Sequence, residues 1–326
     1  MQKNRRWIGT ILCLILFSSH AIAEEAVLVL GEDYVFPNKI EGMPTRLSDF
    51  KGLEIKAFKT SDGVTLKYWE AGSGKPLIFI PGWSANGAEY LNVMYLLQKN
   101  YHVYVLDQRN QGLSENVNHG MRIARYAKDV KEFNEHLGIK SASYCGWSMG
   151  ASVLYSYIDL FGTQTIDKLI LIDEPPSILT RSHWSEEERL NAGARFETSE
   201  QVLQNFSPDG GNDPVIERYM AMDSPYFENT ERFARHFIKN DMNYMGLIMY
   251  DHTANDWSDV IRKKITIPTA IFTGEYSPNV QSQRWMHSVI PHSALYVYTK
   301  AEQGDHFLAL KNPVKFAKDV RDFLEH

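Results

Sequence analysis

Short runs of apolar and β-branched residues recur along this chain, and helical segments lie between most of them. Residues 53–58, 64–70, 76–80, 101–106, 142–145, 168–172, 269–273 and 294–298 each read as a strand. Between them, 126–137 carries apolar side chains at Tyr126, Val130, Phe133 and Leu137, and 313–324 repeats that helical spacing with Val314, Phe316, Val320 and Phe323. Such alternation predicts an α/β fold, a mostly parallel eight-stranded sheet covered on both faces by helices. Ser61-Asp62-Gly63 marks the first two strands as a hairpin.

One interval breaks the alternation. Residues 175–264 contain no convincing strand but hold long mixed stretches at 185–195, 229–239 and 241–251, which predicts a helical cap inserted into a core made of 51–174 and 265–326. In open α/β sheets ligands bind beyond the carboxyl ends of the strands, so a cap there would roof the site. Met242, Tyr244, Met245, Met249 and Tyr250 are candidates for lining an apolar pocket beneath it, although ordinary core is the commoner fate of such spacing.

At the N-terminus, Lys3, Arg5 and Arg6 precede an apolar run at 8–17, and Ala21-Ile22-Ala23 precedes Glu24. This is the layout of a secretory signal peptide covering residues 1–23, with an apolar run too short to span a bilayer. The expected mature chain is exported, periplasmic or secreted, with no stable membrane insertion, and residues 24–50 form a mixed N-terminal extension. Loss of the three basic residues takes the formal charge from −6 to −9. So acidic a chain is unsuited to binding nucleic acid or anionic membrane through bulk charge. Cys145 is then the single remaining cysteine, which excludes an intramolecular disulfide. No composition signal bears on oligomeric state.

Gly146-Trp147-Ser148-Met149-Gly150 sits between the 142–145 run and a helical stretch at 151–160. A Gly-x-Ser-x-Gly segment in that setting forms a sharp, strained turn that lifts the serine hydroxyl clear of the sheet and sets it before the amides of a helix N-terminus. Ser148 is the candidate nucleophile. No His-Glu-x-x-His or Cys-x-x-Cys spacing appears, so neither a metal nor another cofactor is expected. Gly72-Ser73-Gly74-Lys75 is no phosphate-binding loop, because Trp69 replaces its first glycine and Pro76 stands where the magnesium-binding hydroxyl belongs.

Two further segments extend the pattern. Ile78-Phe79-Ile80-Pro81-Gly82-Trp83 reads as a strand followed by a loop, and Asp107-Gln108-Arg109-Asn110-Gln111-Gly112-Leu113-Ser114 as another loop. With Ser148, and with Gly304-Asp305-His306-Phe307 after the last expected strand, these landmarks resemble the α/β-hydrolase superfamily from about Leu53 to the C-terminus. That family usually carries His-Gly where this chain has Pro81-Gly82, and residues 107–114 resemble its Asp-x-Arg-Gly-x-Gly-x-Ser segment with Asn110 in place of the first glycine. The resemblance implies His306 as general base and the backbone N–H groups of Trp83 and Met149 as the oxyanion hole.

The resemblance leaves the third member open. The family usually places the acid in a Gly-x-x-Asp segment, and Gly274-Glu275-Tyr276-Ser277 has a serine there. Either the triad is degraded or the acid comes from elsewhere. Some family members supply it from the strand end after the elbow helix, where this chain has Asp173; Glu174 and Glu275 are the remaining candidates. A serine nucleophile argues against the dehalogenases and epoxide hydrolases of the superfamily, which resemble it in fold but use aspartate. The implied activity is cleavage of a small-molecule carboxylic ester or lactone through an acyl-serine. Amidase, peptidase or perhydrolase chemistry and a non-catalytic ligand-binding relative are the alternatives.

Overall fold

The computed structural model describes residues 24–206, 225–226 and 242–326. The expected signal peptide at 1–23 and the 229–239 stretch lie outside the described residues. Eight strands form where the apolar runs predict them: β2 (Glu54–Lys59), β3 (Thr65–Gly72), β4 (Lys75–Ile80), β5 (Tyr101–Leu106), β6 (Ala142–Trp147), β7 (Ile166–Ile172), β8 (Thr269–Gly274) and β9 (Ser293–Tyr298). A ninth, β1 (Glu24–Glu25), adds two residues at the edge beside β2. The sheet order is β1-β2-β3-β5-β4-β6-β7-β8-β9. Pairings β1·β2, β2·β3 and β3·β5 are antiparallel, and the rest, from β5·β4 to β8·β9, are parallel.

Alternate side chains of the central strands go to opposite faces, as a pleat requires. Leu77, Phe79, Ile170 and Ile172 join one core layer with Leu91 and Phe316, whereas Ile78, Ile80, Leu169 and Leu171 join the other with Val130, Phe133 and Leu154. The first layer is covered by α1 (Ala26–Leu30), α2 (Leu91–Leu97) and the C-terminal helix; the second by α3 (Ile123–Leu137) and α4 (Met149–Phe161). Residues 24–50, without a clear pattern in sequence, bury Phe36, Ile40, Met43, Leu47 and Phe50 in the first layer.

Between β7 and β8 the described residues form α5 (Glu186–Ala192), α6 (Ser199–Phe206), α7 (Met242–Ala254) and α8 (Ser258–Lys264). Helix α5 starts at a reciprocal capping box of Ser185 and Glu188 and stops at Gly193, whose φ of 72° suits a residue lacking Cβ. The chain closes with α9 (Val280–Val289), α10 (Leu308–Lys311) and α11 (Pro313–Glu325), the last begun by Asn312 as cap and Pro313 in its first turn. No helix of the described residues is long and apolar enough to cross a membrane.

Because β4, β6, β7, β8 and β9 run in one direction, the loops that follow them gather at one end of the sheet. Those loops carry Gly82-Trp83, Ser148, Asp173, Ser277 and His306.

Candidate active site

Ser148 follows β6 with φ 52° and ψ −131°, a conformation that costs a non-glycine residue on the order of 1–3 kcal/mol. Its amide donates to Ile172 O at 2.9 Å, which ties the turn to the end of β7. The flanking glycines are steric requirements. A Cβ on Gly150 would lie 2.0 Å from Ile80 O, and one on Gly146 2.7 Å from Ala151 Cα. Helix α4 begins at Met149 with Ser148 as its N-cap, so the Met149 amide belongs to the helix's first turn, where no intrahelical acceptor is available.

The loop after β4 closes over this turn. A Cβ on Gly82 would stand 3.0 Å from Ser148 Cβ, so Trp83 follows at a point where the backbone already touches Ser148. Two glutamines from the Asp107–Ser114 loop fix it: Gln108 Nε2 donates to Pro81 O at 2.8 Å, while Gln111 Nε2 donates to Gly82 O at 3.1 Å and Gln111 Oε1 accepts from Ser84 N at 3.0 Å. The Trp83 indole N–H in turn donates to Met245 O at 2.9 Å, fastening α7 to the loop.

His306 is buried, and its Nδ1 lies 2.8 Å from Asp173 Oδ2. Trp147 Nε1 donates to His306 O at 2.8 Å, and the Trp147 and Phe307 rings lie with centroids 5.3 Å from the imidazole. The histidine loop fits tightly against the end of β8, since a Cβ on Gly274 would fall 1.9 Å from the Gly304 carbonyl carbon. Asp305, next to the histidine, accepts from Phe307 N at 2.8 Å and pairs with the buried Lys311.

Asp173 is fully buried at the end of β7, with φ 52°. Besides His306, Oδ1 accepts from Thr273 Oγ1 at 2.5 Å, and Oδ2 accepts from Ser277 Oγ at 2.7 Å and Asn279 Nδ2 at 3.3 Å. Burying a carboxylate is costly unless hydrogen bonds replace its water, and these donors do so. The other two acid candidates lie elsewhere. Glu174 faces Ser152 and His252, and Glu275 is exposed, accepting from Lys300 N at 3.0 Å.

The sequence missed the supporting hydroxyl and amide groups of Thr273, Asn279, Gln108 and Gln111. Only Ser277 left a signal, as the residue standing where the acid was expected. Of the proposed pocket residues, Met245 and Met249 are buried, whereas Tyr250 is 48% exposed and does not line an enclosed pocket. The side chain of Met242 is outside the described residues, and Tyr244 is half-buried. Cys145 is buried, and burial pushes its thiol up, away from thiolate chemistry. No cluster of His, Cys, Asp or Glu among the described residues could hold a metal ion.

Similarity to known proteins agrees with this architecture. The family model for the alpha/beta hydrolase fold matches residues 75–312, and the chain belongs to that family. A non-heme haloperoxidase from Rhodococcus erythropolis is 25% identical over 278 residues, covering 81% of this chain and 97% of its own. Among solved structures, an esterase from Exiguobacterium antarcticum aligns with TM-score 0.66 at 22% identity, covering 83% of this chain and 99% of its own. A bromoperoxidase from Bacillus anthracis aligns with TM-score 0.67 at 21% identity, covering 83% and 100%. At these identities the two structures speak for the fold.

Proposed function

We propose that this chain is an exported serine hydrolase that cleaves a carboxylic ester or lactone through an acyl-serine intermediate, with Ser148, His306 and Asp173 as its triad. The observation that carries the proposal is the 2.8 Å contact of His306 Nδ1 with a buried carboxylate whose other neighbours are hydroxyl and amide donors. Such a partner fixes the tautomer and orientation of the ring, which leaves Nε2 as the basic nitrogen, and it stabilises the imidazolium that forms. His306 takes the Ser148 proton as Oγ attacks the carbonyl carbon. The amides of Trp83 and Met149 receive the developing oxyanion, and the imidazolium returns the proton to the departing alkoxide. Water then attacks the acyl-serine with His306 again as base, which releases the acid and restores the hydroxyl.

The named haloperoxidase relative supports one second reading. If hydrogen peroxide replaced water in the last step, the product would be a peracid, with no metal involved. Export rests on the N-terminal signal-like segment, and the cap role of 175–264 on helices that follow β7 and reach the Trp83 loop.

The test is stoichiometric reaction of the mature protein with a fluorophosphonate, followed by peptide mass spectrometry and by turnover of a p-nitrophenyl ester series with water or peroxide as acceptor. One adduct per chain on Ser148, absent from Ser148→Ala, together with ester turnover is the expected outcome. A parent protein that neither labels nor turns over an ester is a ligand-binding relative and ends the proposal.

A further inference from the structure

Glu174, beside the triad acid, is 3% exposed and sits in the seam between the elbow helix α4 and helix α7. Ser152 Oγ of α4 donates to its Oε1 at 2.7 Å, and His252 Nε2 of α7 lies 3.5 Å from the same oxygen. Gln283 Nε2 of α9 donates to its main-chain oxygen at 2.7 Å. The other nitrogen of His252, Nδ1, is buried without a hydrogen-bond partner among the described residues. An imidazolium would leave a charged N–H buried there unpaired, so the ring is held neutral and supplies no positive charge to Glu174. The remaining titratable neighbours are Asp173, a like charge one residue away, Arg195, which acts only electrostatically, and Tyr155 of α4, whose phenol burial pushes up. Among the described residues Ser152 is the one side-chain donor that reaches the carboxyl and no Lys or Arg forms an ion pair with it, so a buried negative charge there lacks the compensation it needs.

We propose that Glu174 is a positioning residue that works as a neutral carboxylic acid, joining α4, α7 and the strand end while leaving Asp173 to carry the negative charge behind His306. This inference rests on the triad reading given above. Burial pushes the Glu174 carboxyl up to about 8, with Asp173 adding to the rise and Ser152 and Arg195 opposing it. Ionisation would set a second carboxylate against Asp173 and disturb the charge His306 faces.

The experiment compares parent and Glu174→Gln mature protein by kcat/KM for a p-nitrophenyl ester and by Tm, both from pH 5 to pH 9. The parent should lose about tenfold in kcat/KM between pH 7 and 9, as a group titrating near 8 must be protonated for activity, and E174Q should lack that loss. For an acid whose folded pKa is raised, stability declines as pH climbs from the unfolded pKa to the folded one. The parent's Tm should therefore fall between about pH 5 and 8 and then level, with this component missing from E174Q. Parallel profiles in the two proteins overturn the proposal. So does an E174Q chain that fails to fold, or that folds but is inactive at every pH, because the amide is the neutral isostere. A parent without ester turnover defeats the hydrolase reading instead, and the Tm comparison alone then decides the role of Glu174.

Discussion

Ser277 Oγ donates at 2.7 Å to Asp173 Oδ2, the same oxygen that lies 2.8 Å from His306 Nδ1. The residue standing where the family usually places its acid therefore donates to a carboxylate that a neighbouring strand brings to the histidine. Two adjacent strand ends, β7 and β8, reach one point beside the histidine. The acid can be carried by either, provided the other supplies a donor.

That equivalence predicts a rescue. Asp173→Asn should lower kcat by about a thousandfold or more, since an amide leaves the ring without its charge partner and favours the wrong tautomer. Adding Ser277→Asp to Asp173→Asn should recover a large part of the loss. Ser277→Asp alone should be poorly active, because it sets two carboxylates against each other. Ester turnover by the three variants checks this.

Gly150 is fixed by the Ile80 carbonyl, which belongs to a central strand and cannot withdraw. Gly150→Ala should destabilise the fold by about 1–3 kcal/mol, read from denaturant midpoints at unchanged m-value. Normal stability would show that the elbow shifts freely against β4.

Lys311 and Asp305 form a buried pair one residue from His306, with side-chain exposures of 6% and 10%. Lys311→Met should cost about 3 kcal/mol, as removing one partner strands the other's charge. Asp305→Asn added to Lys311→Met should restore much of that stability. Chemical denaturation of the single and double variants decides it.

Trp83→Phe keeps the backbone amide while removing the indole donor to Met245. With one hydrogen bond between the loop and α7 gone, KM should rise about fivefold, the equivalent of about 1 kcal/mol, and kcat should change less. A large fall in kcat with KM unchanged would mean that the indole acts on the reacting centre.

The eight main strands were legible because each leaves a short β-branched or apolar run, and the proposed roles of Ser148 and His306 rest on equally local signatures, a glycine-flanked serine and a histidine after the last strand. Strand β1 was not, for Glu24 and Glu25 join the sheet through backbone hydrogen bonds that side-chain pattern does not report. Residues 24–50 were equally opaque, since Phe36, Ile40 and Phe50 reach the core from irregular chain with no period to read. The acid stayed ambiguous for a different reason. Asp173 and Glu174 are chemically alike, and only the backbone at the end of β7, with φ 52° at Asp173, sends one carboxyl to His306 and the other to Ser152 and His252.

The most direct measurement is kcat for a p-nitrophenyl ester with Asp173→Asn and Glu275→Gln made in parallel, each confirmed as folded by circular dichroism. A loss of about a thousandfold or more in Asp173→Asn, with Glu275→Gln within about twofold of the parent, is the predicted result. An Asp173→Asn protein within about threefold of the parent would contradict the account, because the ring of His306 would then take its orientation from some other group.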